Sequence, residues 1–283
     1  MSQALLPRGF GPLAHLLLRL GEATGALAYA LGIRRRVTLE NLARAFPSRS
    51  VDERREIARA VYQSLGRSLA EIALARRLHD SRLEEWVRFE QFERYEAAAA
   101  QGRGVVVAVA HFGNWELIAR ACAHRGVKLT AITRRLRGRF NRWLLSARRE
   151  GGLRELPDKD PTHDALALLR RGEVLAVIVD QNMLPRRGIF VDFFGAKACT
   201  TPAAAVLSLR SGVPLIAAFP IRQPDGTYLV RVEGPFTAPP GARAPEAVRA
   251  LTQQLTLAVE RVVREHPAQW FWLHRRWKTR PPG

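Results

Sequence analysis

The sequence predicts an α/β fold in which a mixed, largely parallel sheet is flanked by helices. Three short apolar runs, at residues 105–110, 127–133 and 174–179, have the length and β-branched content of buried strands. Helical patterns separate them, and alternation of strand and helix is typical of a parallel sheet. With 283 residues, of which 47% are hydrophobic and 25% charged, the chain has the size and composition of a globular protein with a substantial core.

Residues 10–33 are mostly apolar and predict a helix early in the chain. Arg19 and Glu22 lie in its middle, and a charge at the centre of a bilayer costs about 2.5–3.5 kcal/mol on insertion scales. We therefore expect residues 1–36 to form a membrane-associating helix at the interface rather than a simple span. An amphipathic helix packed on the domain is the alternative. The arginines at 34–36 suit a cytoplasmic flank, and no signal-peptide cleavage site clearly follows the segment.

Residues 37–100 are predicted to be mainly helical and to lead into an α/β core over residues 101–283. Ser50 and Glu53 have the spacing of a capping box at a helix start. Apolar residues then recur at helical spacing, at Ile57, Val61, Leu65, Leu69 and Ile72. Arginines lie among glutamates here and no recognition-helix motif is present, so this segment does not predict a nucleic-acid reader.

Each predicted strand delivers a polar residue to its C-terminal end. The first strand ends in His111, the second leads to Arg134, and the third ends in Asp180. Ligands of open α/β sheets bind in the crevice beyond the carboxyl ends of the strands. We therefore expect these three side chains to gather along one edge of the sheet.

The last part of the chain is predicted to complete the α/β core. Thr201 caps a helix over residues 203–210, and Gly212 ends it. Residues 213–221 and 227–232 flank a Pro-Asp-Gly turn and predict a hairpin. A final amphipathic helix carries apolar residues at Val248, Leu251, Leu255, Val259 and Val262.

His111 is the candidate general base. Neutral imidazole titrates near neutral pH, and a carboxylate on one ring nitrogen leaves the other free to accept a proton. Glu116, in the first turn of the next helix, has the spacing to supply that carboxylate, and the backbone amides of Gly113 and Asn114 are candidate oxyanion donors. The alternative is that His111 caps the helix while Glu116 favours its positive end.

The charge balance points to a polyanionic partner. The chain has 45 Lys plus Arg against 26 Asp plus Glu, a formal charge of +19, which suits an anionic membrane surface or nucleic acid. Two distant cysteines, Cys122 and Cys199, argue against a disulfide framework and against zinc, and favour a reducing compartment. No Gly-x-Ser-x-Gly elbow is present, so the sequence predicts no covalent serine intermediate.

A closing segment interleaves aromatic and basic residues. Tryptophan favours membrane interfaces and arginine binds phosphate in a forked geometry, so we expect Arg275, Arg276 and Lys278 to bind anionic headgroups. Core packing by the tryptophans, with solvated arginines, is the alternative. Stacking of single-stranded nucleic acid is disfavoured because a passive binder has no use for a base and a carboxylate at a strand end.

Five stretches of this chain resemble the late lipid A biosynthesis acyltransferases of the lauroyl and myristoyl transferase type, from about residue 39 to 281. The stretch around His111 reads His-Phe-Gly-Asn-Trp-Glu. The others read Asn-Leu-Ala-Arg-Ala-Phe-Pro from residue 41, Val-Asp-Gln-Asn from 179, Phe-Phe-Gly from 193 with Thr-Thr-Pro-Ala from 200, and Gln-Trp-Phe-Trp-Leu-His-Arg-Arg-Trp-Lys-Thr-Arg-Pro from 269.

This resemblance implies a glycerolipid-acyltransferase-like fold, no cofactor, and a place on the cytoplasmic face of the inner membrane. It implies an acyl donor, either acyl carrier protein or acyl-CoA, and a lipid acceptor. Arg134 matches an arginine near the thioester, Asn141 and Arg148 match neighbouring polar positions, and Asp180 matches an acidic residue that supports activity. Many members carry a second acidic residue or a histidine soon after this aspartate, where this chain has Gln181 and Asn182.

Our hypothesis is O-acyl transfer from a thioester to a hydroxyl of a lipid A precursor, with His111 as base and Glu116 as its partner. One alternative keeps this chemistry but uses acyl-CoA and another glycolipid, a lysophospholipid or an aminolipid. A third reading is a non-catalytic basic protein that binds membrane or nucleic acid. The sequence gives no acyl chain length, because a tunnel's lining residues look like ordinary core residues.

Overall fold

The computed structural model describes residues 11–77, 80–133, 138–159 and 161–282, and it has the predicted α/β architecture. The helices are α1 Pro12–Ala30, α2 Arg35–Ala45, α3 Val51–Ala75, α4 Asp80–Trp86, α5 Glu93–Ala99, α6 Trp115–His124, α7 Arg139–Glu150, α8 Thr162–Arg170, α9 Ala203–Ser211 and α10 Ala244–Glu265. The strands are β1 Val87–Glu90, β2 Val105–Val109, β3 Leu129–Thr133, β4 Arg154–Pro157, β5 Val174–Ile178, β6 Ile189–Phe193, β7 Ala196–Thr200, β8 Leu215–Arg222 and β9 Tyr228–Glu233.

Within the described residues, seven strands form one sheet in the order β1-β9-β8-β2-β5-β3-β4. All neighbours are parallel except the predicted hairpin of β8 and β9. β2 is central, between β8 and β5, and Val109 at its end lies opposite Ile178 of β5 and Ala218 of β8. This register brings the residues that follow β2 and β5 to the same point of the sheet edge.

Alternating side chains of β2 divide the interior into two cores. Val106, Ala108 and Ala110 belong to one apolar cluster together with α9 and α10, whereas Val105 and Val107 belong to a second cluster with α6. Successive side chains of a strand point to opposite faces of the sheet. Both faces of β2 are therefore covered, and only its C-terminal end opens onto a site.

Local signals in the sequence correctly placed several element ends. Ser50 and Glu53 form the capping box of α3, with distances of 3.2 Å from the Glu53 amide to the Ser50 hydroxyl and 2.6 Å from the Ser50 amide to the Glu53 carboxylate. Thr201 accepts a hydrogen bond from the Ala203 amide, and Gly212 ends α9 with a φ of 66°. These motifs are local, so they do not depend on the tertiary fold.

The sequence did not predict β1, β4, α7 or the separate hairpin of β6 and β7. The short edge strands carry few alternating apolar residues, and α7 is strongly basic. The β6–β7 turn contains Phe194 at a φ of 52°, and phenylalanine is not a residue that signals a left-handed turn. Composition therefore conceals these elements.

α1 packs closely on α3 through small residues. A Cβ at Gly25 would collide with the carbonyl oxygen of Tyr62, and one at Gly66 would collide with that of Gly21. Glu22 of α1 forms a 2.9 Å ion pair with Arg67 of α3. The opposite face of α1 is solvent-exposed and apolar, with leucines at Leu13, Leu16, Leu20, Leu27 and Leu31.

No single helix in the described part of the chain is long and apolar enough to cross a bilayer. α1 and α2 together reach the required length and composition, but they are bent by 89° at the break between them.

Candidate active site

His111 and Asp180 meet at the edge of the sheet where β2 and β5 end. Nδ1 of His111 lies 2.9 Å from one carboxylate oxygen of Asp180, and the backbone amide of His111 donates to the other at 2.8 Å. The indole N–H of Trp270 donates to this second oxygen at 2.8 Å. The strand-end argument correctly placed these two residues together.

Asp180 is buried, with 4% of its surface exposed, yet it is held as an anion. Burial alone raises the pKa of this carboxyl, but attraction to His111 and the hydrogen bonds from His111 and Trp270 outweigh it and lower the pKa. An anionic Asp180 selects the tautomer in which Nδ1 of His111 carries the proton. Nε2 is then the basic nitrogen.

Gln181 covers the basic nitrogen of His111. Its side-chain amide nitrogen lies 3.2 Å from Nε2, and the ring edge of Trp115 packs on the imidazole with centroids 5.0 Å apart. Phe271 lies on another side of the ring, at 6.0 Å between centroids. The His111 side chain is therefore only 15% exposed.

Glu116 does not contact His111, contrary to the predicted pair. Its carboxylate accepts two hydrogen bonds from Arg148, at 2.6 and 2.8 Å, and one at 2.9 Å from the indole of Trp115. α6 turns Glu116 toward α7, whereas Asp180 follows the strand next to β2 and faces the ring directly. Glu116 therefore reaches His111 only through Trp115.

The turn after His111 is fixed by backbone contacts. The Gly113 amide donates to the carbonyl oxygen of Gln269 at 2.8 Å. It is therefore not available to an oxyanion, contrary to our prediction. Gly113 has a φ of 55°, and a Cβ there would collide with the carbonyl oxygen of Pro220. Only glycine fits both the conformation and the space.

Asn114 is 1% exposed and its side chain serves the scaffold rather than a substrate. Its amide donates to the Ser68 carbonyl at 3.2 Å and to the Glu71 carboxylate at 3.0 Å. Glu71 also binds Arg222 at 2.9 Å, Arg67 at 3.0 Å and the hydroxyl of Tyr228 at 2.6 Å. We call Glu71, Arg67, Arg222, Tyr228 and Asn114 the Glu71 cluster.

The remaining residues expected to bind substrate are placed differently. Arg148 is engaged by Glu116 and, at 3.5 Å, by Glu155, so its charge is already paired. Asn141 is half-buried in the first turn of α7. Arg134 lies outside the described residues.

The closing segment is largely core, which corrects part of our prediction. Trp270, Trp272 and Trp277 are all buried. Arg276 is 1% exposed, donates to the Cys199 carbonyl and the Thr200 hydroxyl, and stacks on Phe193. Burial lowers the pKa of Arg276 to about 10. The three tryptophans and Arg276 fill the space beside β6 and β7. Arg275 and Lys278, in contrast, are exposed as expected.

Two side-chain contacts that the sequence did not indicate hold the closing segment against the site. The backbone amide of Asn182 donates to Nε2 of the His274 side chain at 2.9 Å. Burial lowers the pKa of His274 to about 4. Asn41 of α2 donates to the carbonyls of Trp272 and His274, at 2.8 and 2.6 Å. Each partner is distant in sequence, so spacing offered no signal.

An apolar cavity of about 40 Å³ lies on one face of the sheet. Val107 and Val109 of β2, Ala218 of β8 and Phe92 contribute to its wall. Val109 is the last residue of β2 and lies two residues before His111 in the sequence.

The thiol of Cys122, which lines this cavity, is not a nucleophile. Burial raises its pKa to about 12, so it stays protonated. Among the described residues, the side chains that hydrogen-bond to His111 or pack a ring against it are those of Asp180, Gln181, Trp115 and Phe271. None of these four side chains carries a hydroxyl or a thiol.

Comparison with known proteins identifies the chain as an acyltransferase. The model of the bacterial lipid A biosynthesis acyltransferase family matches residues 12–279, and the chain belongs to this family. It is 31% identical over 271 residues to a lipid A biosynthesis lauroyltransferase of Escherichia coli (strain K12). The matched region covers 95% of this chain and 87% of the relative.

Two further relatives have different acyl chains or acceptors in their names. A lipid A biosynthesis myristoyltransferase of the same organism is 27% identical over 271 residues, 95% of this chain and 81% of the relative. A phosphatidylinositol mannoside acyltransferase of Mycobacterium tuberculosis (strain CDC 1551 / Oshkosh) is 26% identical over 192 residues, 65% of this chain and 58% of the relative. An acyltransferase identity rules out the non-catalytic reading.

Proposed function

We propose that this protein transfers a fatty acyl chain from an acyl thioester, carried by acyl carrier protein, to a hydroxyl of a lipid A precursor at the cytoplasmic face of the inner membrane. The observation that carries the proposal is the His111–Asp180 pair beside an apolar cavity. The lauroyl and myristoyl transferases among its relatives support lipid A as the acceptor.

In this mechanism Nε2 of His111 takes the proton of the acceptor hydroxyl after the substrate displaces Gln181. The oxygen attacks the thioester carbonyl carbon and forms a tetrahedral oxyanion. The oxyanion then collapses, the carbon–sulfur bond breaks, and the leaving thiolate takes the proton from the imidazolium. Asp180 stabilises the imidazolium throughout, because its negative charge is buried against Nδ1.

Stabilisation of the oxyanion falls to donors other than Gly113. The N-terminus of α6 lies directly after the His111 turn, and a helix N-terminus carries partial positive charge. The backbone amide of Asn114 has no acceptor within the described residues and is the candidate donor there. Arg134 remains a second candidate, by its family match.

Glu116 acts in this proposal as a positioning residue. It binds the indole of Trp115, which packs against the imidazole in a T-shaped arrangement. Arg148 fixes the Glu116 carboxylate with two hydrogen bonds. The chain from Arg148 to His111 thus supports the orientation of the base without touching the reacting atoms.

The acyl chain is proposed to lie in the apolar cavity. The lining is hydrocarbon and aromatic, and burial of each methylene there contributes about 0.8 kcal/mol. Val109, at the C-terminal end of β2, contributes to the cavity wall, so we propose that the thioester end of the chain lies at this end of the strand. The exposed leucine face of α1 is proposed to bring the site to the membrane surface.

The test is acyl transfer by purified protein in detergent, measured by mass spectrometry. Acyl carrier protein and acyl-CoA donors are offered with a lipid A precursor and with other glycolipid, lysophospholipid and aminolipid acceptors. We expect one added acyl mass on the lipid A precursor, lost in His111→Ala and kept in His163→Ala, which removes an exposed histidine of α8. Absence of transfer to any acceptor contradicts the proposal.

A second candidate keeps the mechanism and changes the acceptor. It is favoured by the resemblance to a phosphatidylinositol mannoside acyltransferase and by Gln181 and Asn182 after the aspartate. Transfer only to another lipid, or only from acyl-CoA, would establish this alternative. The same His111→Ala control applies to it.

A further inference from the structure

The structure contains a basic groove outside the His111 site, between α2 and the closing segment. Its volume is about 350 Å³, which is within the range of small-ligand pockets. Its basic lining residues are Arg36, Arg44, Arg275, Lys278 and Arg280. Glu40 is the one acidic residue in that lining, and it is paired with Arg36 at 2.7 Å.

Four cations of this groove have no carboxylate partner among the described residues: Arg44, Arg275, Lys278 and Arg280. Unpaired cations are common among the described residues, as at Arg59 and Arg103, but here four of them line one groove. Unpaired like charges in one concave site repel each other, and a bound anion relieves that repulsion. The groove is therefore built for an anion.

The groove walls are firmly held. Asn41 ties α2 to the backbone of the closing segment, and the guanidinium of Arg44 lies over the ring of Trp277, 5.6 Å from its centroid. Trp277 is 7% exposed, so this ring is a fixed support. A cation held in this way loses little entropy when it binds a ligand.

We propose that this groove binds a phosphomonoester on the headgroup of an anionic lipid. A phosphomonoester carries a charge of about −1.5 to −2 at pH 7 and three acceptor oxygens, which match forked guanidinium donors. A lipid is favoured over an acidic protein because the site is concave and because α2 directly follows α1, whose exposed face is a leucine stripe. The proposal rests on the proposed function, since the acceptor of that reaction is a membrane lipid.

The closing segment joins this groove to the reaction site. The same segment that presents Arg275 and Lys278 to the groove carries Trp270, which binds Asp180. A headgroup phosphate held in the groove therefore fixes the position of an acceptor relative to the base. The groove thus selects acceptors that bear a phosphomonoester.

The experiment measures vesicle binding, which does not require turnover. Vesicles of phosphatidylcholine are compared with vesicles that also contain phosphatidic acid, a phosphomonoester, or phosphatidylglycerol, a phosphodiester, at matched surface charge. The variant Arg275→Gln, Lys278→Gln, Arg280→Gln is compared with Arg103→Gln, Lys128→Gln, Arg170→Gln. The control removes three exposed cations; Arg103 lies two residues before β2 and Lys128 directly precedes β3, both at the opposite edge of the sheet.

We expect the unaltered protein to prefer phosphatidic acid vesicles, and the groove variant to lose about 100-fold in that affinity, at about fivefold per charge. The control variant is expected to change much less. Soluble glycerol phosphate and inorganic phosphate are added as competitors. If the groove binds the phosphate of the lipid headgroup, a high concentration of glycerol phosphate is expected to release the protein from the vesicles. Equal losses in both variants, or no preference for phosphatidic acid over phosphatidylglycerol, overturn the proposal.

An acidic donor protein is the competing occupant. If the groove variant binds vesicles normally but shows a raised KM for acyl carrier protein, the groove serves the donor and the proposal is overturned. Normal vesicle selectivity together with absent acyl transfer would refute the proposed function while leaving the groove assignment in place.

Discussion

Two buried carboxylates lie on either side of the turn that carries His111, and they are held in opposite ways. Asp180 is bound by a histidine and an indole, whereas Glu71 is bound by two arginines, a tyrosine and Asn114. Each has a lowered pKa, since attraction to its partners outweighs burial. The two carboxylates differ in their partners: the histidine that binds Asp180 can change its charge, whereas the arginines that bind Glu71 cannot.

This difference suits Asp180 to a role in proton transfer and Glu71 to a structural role. The partner of Asp180 is an imidazole, which can accept a proton and release it again, so the pair can pass through a charged state during a reaction. The partners of Glu71 include two permanent cations, and its attraction raises the pKa of Arg222 further. The Glu71 cluster therefore holds the turn in place and takes no part in proton transfer.

The replacement Asp180→Asn tests the chemical half of this comparison and has the largest expected effect. The amide is similar in shape, but it removes the charge that stabilises imidazolium and presents a donor to Nδ1 of His111. We expect turnover to fall about 10³–10⁴-fold with little change in melting temperature. Acyl transfer within tenfold of the unaltered enzyme would refute the role of Asp180.

The replacement Glu71→Gln tests the supporting half. It leaves Arg67 and Arg222 buried without their anion, which we expect to cost about 3–5 kcal/mol of unfolding free energy, measured by denaturant titration. Turnover per folded molecule is expected to stay within a few fold. Tyr228→Phe is the milder comparison, because it removes one hydrogen bond to the same carboxylate. Loss of turnover with unchanged stability in Glu71→Gln would break the distinction between the two carboxylates.

Trp270→Phe sharpens the comparison by removing one donor from Asp180. A hydrogen bond to a charged group contributes about 1.5–3 kcal/mol, so we expect kcat to fall between about tenfold and 100-fold. KM is expected to stay unchanged, because Trp270 is buried behind Asp180. Trp272→Phe is the matched control, since its indole donates to the Pro267 carbonyl instead. Equal losses in both variants would indicate packing rather than support of the carboxylate.

The smallest effect concerns His274, whose pKa of about 4 in the folded protein lies below its ordinary value of 6.5. The unfolded chain binds the extra proton more readily between these values, so stability falls as pH decreases from about 6.5 to 4. We expect this slope to be shallower in His274→Gln, measured by denaturant titration across that pH range. Parallel curves for the two proteins would show that His274 is not held neutral.

The sequence predicted which strands carry the site residues, but it did not predict which strands lie next to each other in the sheet. His111 and Asp180 were placed at one edge because each directly follows an apolar run. The partner of His111 was assigned to Glu116 because that residue is near in sequence, whereas strand order puts β5 next to β2 although β3 comes between them along the chain. Spatial order of strands is a tertiary property that local pattern does not encode.

The closing segment shows a second limit of sequence reasoning. Alternating tryptophan and arginine is compatible with a surface patch and with a core, and the structure divides the segment between the two. Arg276 is buried under backbone carbonyls while its neighbour Arg275 is exposed. Side-chain type cannot separate adjacent arginines, because their burial depends on the β6–β7 hairpin that the sequence did not predict.

The long sequence distances between contacting residues of this site have a consequence for folding. His111 and Asp180 are 69 residues apart, Trp270 is 90 residues beyond Asp180, and Arg34 binds a carbonyl 239 residues later in the chain. Chains whose contacts join distant segments fold slowly, because loop closure precedes the stabilising contacts. During synthesis the segment that carries Trp270 emerges long after the strands it covers. A nascent chain therefore exposes the apolar side chains of Phe112 and Phe193, against which Trp270 packs, until that segment docks. Assistance by a chaperone during this interval should raise the yield of active enzyme.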